Sequence, residues 1–258
     1  MPVTTYRVST PQTPTSPSHF SVSFLPLKLS SLSLLHLSLR NAHLTPILTL
    51  TRPDIEYPIN FLCRYQEDPR DKHLMRVLDI LGYLTKMTTN CLHYPINRSG
   101  VKPTLQLSVK VDESNSDCPE TRRSTFGYII YLDLMPIHWK SKRTPFVTAG
   151  VGTTAYVALH FAAKGVLFTS YILDFLGFLQ PSPIRMFTDN QSCSLAIQSE
   201  ITTPLTRCLE EKYFYIRELH HNKKVNVKWI PRSTNESDLL THPLPHTKLT
   251  SQRARLMT

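Results

Sequence analysis

The chain has 258 residues, 41% of them apolar, so it can hold one large domain or two small ones around a packed core. A formal net charge of +10 and a pI near 9.4 exclude an acidic surface and suit either nucleic acid or a plainly solvated basic face. Five scattered cysteines (Cys63, Cys91, Cys118, Cys193, Cys208) form no Cys-x-x-Cys pair. That argues against a disulfide framework or a cysteine zinc site and suits a reducing intracellular compartment, cytoplasmic or nuclear.

Charge is unevenly placed. From residue 201 onward there are ten Lys or Arg against five acids, and the first fifty residues hold three bases and no acid. Residues 1–44 are rich in Ser, Thr, Pro and Leu and read as a disordered leader. Their Leu-rich run carries Lys28, His36 and several serines, a poor membrane span, so no membrane partner is expected. Residues 45–95 turn helical. Pro53 suits a helix start, Ile55, Ile59, Leu62 and Cys63 recur at helical spacing, and Pro58 predicts a kink. Leu74, Val77, Leu78, Leu81 and Leu84 predict a second, amphipathic helix to about Met87.

Residues 100–245 alternate strands and helices. Leu105, Leu107, Val109 and Val111 predict a half-buried strand ending near Asp112. Strands follow over Phe126–Leu132 and Pro136–Ser141. A long apolar helix over Thr153–Phe178 carries Tyr156, Leu159, Ala163, Leu167, Tyr171 and Phe175 on one face. Then come a strand Pro183–Thr188, helices Asn190–Ser199 and Leu205–His221, and a strand Val225–Ile230. Ser233-Thr234-Asn235-Glu236 is a capping-box sequence that opens a last short helix. Residues 246–258 form a basic tail. This order predicts an α/β fold, a mixed five-stranded sheet with flanking helices, preceded by a helical hairpin and the leader.

Three aspartates are the candidate chemistry. Asp112 ends the first strand, Asp189 ends the fourth, and Asp238 opens the last helix. Singly, each has an ordinary role: loop acid, N-cap, or complement to a helix dipole. Together they are what two-metal phosphodiester cleavage needs, several carboxylates converging from different elements.

The wording around them resembles the ribonuclease H domain of a copia-type retrotransposon Pol polyprotein. Phe187-Thr188-Asp189-Asn190-Gln191-Ser192 is similar to the family's Asp-Asn-x-Ser motif. Ser237-Asp238-Leu239-Leu240-Thr241-His242-Pro243-Leu244 is similar to its Ala-Asp-x-x-Thr-Lys-Pro-Leu. Leu50-Thr51-Arg52-Pro53-Asp54-Ile55 and Leu81-Gly82-Tyr83-Leu84 resemble the segment joining reverse transcriptase to ribonuclease H. The resemblance covers residues 45–248 and implies a C-terminal piece of a larger polyprotein. It also implies a ribonuclease H-like fold, an RNA–DNA hybrid as partner, Mg²⁺ or Mn²⁺ held by Asp112, Asp189 and Asp238, and no small-molecule cofactor. No Tyr-x-Asp-Asp polymerase motif, Asp-Ser/Thr-Gly protease triplet or His-His-Cys-Cys set occurs.

The departures point to impaired catalysis. The family's long helix opens Ser-Ser-Thr-Glu-Ala-Glu-Tyr. Here the stretch is Gly150-Val151-Gly152-Thr153-Thr154-Ala155-Tyr156, and Ala155 stands where the resemblance places the fourth metal-binding acid. Glu113 is expected to point to the face opposite Asp112, leaving Asp117 as the only other nearby acid. Arg207-Cys208-Leu209 replaces a Lys-His-Ile, and His242 replaces a lysine. Arg122, Arg123, Lys140, Lys142 and Arg143 sit at neighbouring strand ends and, with Asn190, are the candidate nucleic-acid contacts. Lys223, Lys224 and Lys228 form a second basic group, and Lys248, Arg253 and Arg255 a third. Trp139, between basic residues, reads as core before it reads as a stacking platform.

Overall fold

Apolar and polar residues alternate from Leu107 to Asp112 because this strand is covered differently on its two faces. The structure, a computed structural model, describes residues 50–92, 94, 105–199 and 214–257. The leader, the start of the helix expected from Leu205, and Arg207-Cys208-Leu209 lie outside the described residues. The strands are β1 (Leu107–Ser114), β2 (Thr125–Leu132), β3 (Met135–Arg143), β4 (Ile184–Thr188) and β5 (Val225–Trp229). They form one sheet in the order β3-β2-β1-β4-β5. The pairs β1/β2 and β2/β3 are antiparallel, and β1/β4 and β4/β5 are parallel. Parallel neighbours need a long crossover, and helices provide it.

Helix α1 spans Glu56–Cys63, α2 Asp71–Lys86, α3 Val151–Phe175, α4 Gln191–Gln198, α5 Tyr215–His221 and α6 His246–Leu256. On one face of the sheet, Ala155, Tyr156, Leu159, Ala162, Ala163 and Val166 of α3 pack on Val109, Val111, Phe126, Tyr128 and Ile130. The apolar face expected for this helix is buried only along its first part, and Tyr171 and Phe175 are 67% and 90% exposed. The reason is length. A helix of 25 residues runs about 37 Å, whereas an eight-residue strand runs about 27 Å, so the end of α3 overshoots the sheet. Its length and apolarity would also suit a membrane span, with 56% of the apolar stretch buried.

The other face is covered by the C-terminal residues. Ile129, Tyr131 and Trp139 pack with Leu239, Leu240, Leu256 and Met257, which places Trp139 in the core. The capping-box sequence forms no side-chain cap. Two short 3₁₀ turns, Arg232–Thr234 and Glu236–Leu240, stand where a last helix is expected. The residues expected as a tail form α6. Pro58 lies in the first turn of α1, where its missing N–H breaks no bond, so no kink is needed. Helix α2 is amphipathic as expected, but Leu74, Val77, Leu78 and Leu84 are only half-buried and Leu81 is exposed.

Helix α1 closes the open edge of β3. The Ser141 N–H donates to Glu56 Oε1 at 3.3 Å, and Asn60 Nδ2 donates to the Ser141 carbonyl at 2.9 Å. Two side chains thus stand in for a sixth strand and blunt the edge. Burial pushes the Glu56 carboxyl up from 4.5 to about 7, against smaller opposing effects of the Ser141 bond and Lys140. The fold therefore prefers protonated Glu56. Its contribution is complete below pH 4.5 and is lost as pH rises through about 7. Glu56→Gln keeps the acceptor for Ser141. In urea unfolding it is expected to exceed the parent by up to about 3 kcal/mol at pH 8 and to show little difference near pH 4.5.

Gly127 is the point of closest approach between sheet and turn. A Cβ at this position would lie 2.4 Å from Leu240 Cβ and 3.2 Å from Thr241 Cγ2. Gly127 is the register partner of Asp112, so this contact sets how near Asp238 comes to Asp112. Gly127→Ala is expected to lower stability by about 1–3 kcal/mol through overpacking, read as a lower urea midpoint with unchanged slope.

Candidate active site

Asp112 points from β1 towards the turn-covered face and is 1% exposed. Because β4 runs parallel to β1, with Val111 opposite Thr188, the residue after β4, Asp189, arrives beside the end of β1. The turn seated on Gly127 brings in Asp238, fully buried. The three aspartates predicted as the site therefore converge at one end of the sheet.

They do so in two groups that share Asp112: Asp112 with Asp238 and His242, and Asp112 with Glu113 and Asp189. Within each group one ligand atom per residue lies within 4.8 Å of the others. Glu113 corrects an expectation. Strand alternation does send it to the face opposite Asp112, but β4 ends at Thr188, opposite Val111, so on that side no strand separates the two faces beside Glu113. Asn190 Nδ2 donates to Glu113 Oε1 at 3.1 Å, and the carboxylate joins the cluster. Asp117 stays outside both groups, since it accepts from Thr125 Oγ1 at 2.7 Å and faces Arg64 Nη1 at 3.6 Å. Ala155 is fully buried among the α3 core residues.

Crowded acids in a buried place resist ionisation. Burial, then the charges of Asp238 and Asp189, push the Asp112 carboxyl well above its usual range, with the Thr241 hydroxyl bond and Arg232 opposing. Burial and then Asp112 do the same to Glu113, and burial and Asp238 raise Asp189. Two bases answer this charge. Arg232 Nε lies 3.7 Å from Asp189 Oδ2 and 3.5 Å from Asp238 Oδ1. Lys248 of α6 pairs with Asp238 Oδ2, which also accepts from Gln252 Nε2 at 3.2 Å. The Thr241 hydroxyl donates to Asp112 Oδ2. His242 Nδ1 is 4.0 Å from that oxygen, and burial lowers the His242 pKa below its usual value.

Over 198 residues, 77% of this chain, the sequence is 27% identical to the retrovirus-related Pol polyprotein from transposon TNT 1-94 of Nicotiana tabacum. Over 200 residues, 78%, it is 27% identical to that from transposon RE1 of Arabidopsis thaliana. The chain is homologous to copia-type retrotransposon Pol polyproteins. It spans 14% and 13% of the length of those two relatives. No protein-family model matches it. Its fold is the mixed five-stranded sheet with flanking helices described above. Among solved structures it is similar to LC11-RNase H1 in complex with RNA/DNA hybrid (15% identity, TM-score 0.40, 53% of this chain and 94% of that one). It is also similar to the prototype foamy virus protease-reverse transcriptase (13% identity, TM-score 0.34, 63% and 22%).

The chain places its predicted basic residues at the same sheet end as the acids. Arg143 pairs with Thr125, which pairs with Ser114 at the end of β1. Arg122 and Arg123 sit in the turn leading into β2, and Lys140 and Lys142 point outward from β3 on the α3 side. Arg123, Lys142 and Arg143 line one cleft of about 410 Å³ with Arg64 and Phe161. Asn190 is committed internally: its Oδ1 accepts from the Cys193 N–H at 3.0 Å while its Nδ2 holds Glu113. It thereby positions Glu113, while the second N–H of its amide is not used by either of these bonds.

Sequence reading passed over Arg232 and saw Lys248 only as a tail base. No spacing links position 248 to 238 until α6 folds back over the turn. It also passed over Trp229, half exposed at the end of β5, whose indole N–H donates to the Asp189 carbonyl at 3.1 Å. Lys248→Met removes one of the partners of the fully buried Asp238 carboxylate. A loss of about 1–3 kcal/mol is expected, since Gln252 and Arg232 remain, measured by urea unfolding of the full chain at pH 7.

Proposed function

We propose that this chain is a ribonuclease H-like module of retrotransposon origin that binds RNA–DNA hybrids and cuts the RNA strand only weakly. The observation that carries this reading is the convergence of Asp112, Asp189 and Asp238 at one sheet end. Oxygen donors of this kind fit a small hard cation, and oxygens bound to one Mg²⁺ lie about 3–4 Å apart, a short closure from the spacing here. Asp112, shared by both groups, would hold the metal together with Asp189 and Asp238. Mg²⁺ or Mn²⁺ bound there would activate water and stabilise the departing oxygen.

The chain's own residues would do the rest. The basic group at the ends of β2 and β3 would hold backbone phosphates, with affinity falling steeply as salt rises. The Thr241 hydroxyl and Arg232 would keep Asp112 and Asp189 oriented. Cleavage is weakened because Ala155 offers a methyl group where the family carries an acid.

A second reading, binding without cleavage, is favoured by Lys248, whose ammonium already occupies the Asp238 carboxylate. The full chain with a labelled RNA–DNA hybrid and Mg²⁺ or Mn²⁺ separates the two. Ala155→Glu is expected to raise the cleavage rate at least roughly 10–100-fold, the range lost when even an outer-shell metal partner is removed, and Asp189→Asn to abolish it. Rapid Asp189-dependent cleavage by the parent, with no gain from Ala155→Glu, would overturn the claim of impairment. Salt-sensitive binding with no cleavage by any variant would favour the second reading.

A further inference from the structure

The two carboxylate groups are not equally engaged with the protein. Asp238 is satisfied by Lys248, Gln252 and Arg232. Glu113 is not. Its Oε1 accepts from Asn190, but its Oε2 is closed to solvent and has no hydrogen-bond partner among the described residues. Val111, two residues earlier on the same face of β1, and Cys193 of α4, which feels the Glu113 charge, both belong to the cluster that contains Ala155. A buried carboxyl oxygen left without a partner beside two other acids is costly, and an ion or water from outside the chain is one way such groups are satisfied.

We infer that Glu113 is a metal ligand, and that it takes the place left by the helix acid missing at Ala155. The geometry supports this on three counts. Glu113 leaves the sheet on the face against which α3 packs, so it approaches the Asp112–Asp189 pair from the side where an acid on α3 would stand. Its ligand atom is within 4.8 Å of theirs. Asn190, the N-cap of α4, fixes the second oxygen, so the side chain is oriented before any ion arrives, the support that metal ligands characteristically receive from outer-shell donors. The ligand class is a hard divalent cation, Mg²⁺ or Mn²⁺. The inference rests on reading this cluster as a metal centre, and it names the residue that lets the centre hold an ion without an acid at position 155, at a lower rate of cleavage.

The test is Mn²⁺ binding to the full chain, followed by calorimetric titration and by the loss of the free-ion paramagnetic resonance signal, together with thermal melts with and without Mn²⁺. The variants are Glu113→Gln, Asp189→Asn, and Glu113→Gln combined with Ala155→Glu. Glu113→Gln keeps an oxygen for Asn190, so its metal-free melting temperature is expected to equal or exceed that of the parent. Its Mn²⁺ affinity is expected to fall by about tenfold or more, with a smaller Mn²⁺-induced rise in melting temperature. Adding Ala155→Glu is expected to restore the affinity. If Asp189→Asn loses Mn²⁺ while Glu113→Gln binds it as the parent does, the inference is wrong and the metal centre stands without Glu113. If the parent itself binds no Mn²⁺, the metal-centre reading fails and takes this inference with it. A Glu113→Gln chain that melts well below the parent without metal would make Glu113 a structural residue instead.

Discussion

The mutual repulsion of buried carboxylates is the constraint on which the rest of this structure depends. Asp112, Glu113, Asp189 and Asp238 share a few ångström at the end of the sheet. Buried charge of one sign is unfavourable unless it is paired. The chain meets that demand from its C-terminal side, with Arg232 between two aspartates and Lys248 on Asp238. Helix α6 is therefore an electrostatic component of the site as well as a cover for the second sheet face. The same helix ties the hairpin to the domain, since Arg253 Nη1 donates to the Tyr83 hydroxyl at 3.0 Å. Tyr83 in turn donates to Asp54 at 2.6 Å.

That arrangement leaves the two halves of the cluster in different states. In the first half Asp238 is paired with both Lys248 and Arg232; in the second Asp189 is paired only with Arg232, and Glu113 accepts from the neutral Asn190 amide. A divalent ion would enter the second half without displacing a protein cation from Glu113, whereas at Asp238 it would compete with an ammonium. This asymmetry links the architecture of α6 to the chemistry of the sheet end. It leaves oxygen donors from β1 and the residue after β4 turned towards one point.

Much of the architecture was legible in the sequence. The alternation from Leu107 to Asp112, the apolar run of α3 and the β5 residues Val225 and Val227 mark elements that form close to where periodicity places them. Local periodicity reports which side chains share a face, and that is enough to order strands and helices. It fails where the answer depends on what lies opposite. The overshoot of α3 past the sheet, the 3₁₀ turns in place of a capped helix, and the folding of a supposed tail into α6 are all set by partners far away in the chain.

The site divides along the same line. By itself the sequence determined the three aspartates, their attachment to strand ends and a turn, and the basic run around β2 and β3, because residue type and local wording carry these. Only the tertiary structure decided that Glu113 joins the acids, that Asn190 holds it, that Asp117 is tied to Thr125, and that Lys248 and Arg232 neutralise Asp238. The physical reason is that alternation fixes the direction in which a side chain leaves a strand. Where a strand ends beside its neighbour, the reach of the side chain and the charge around it determine where its carboxylate comes to rest.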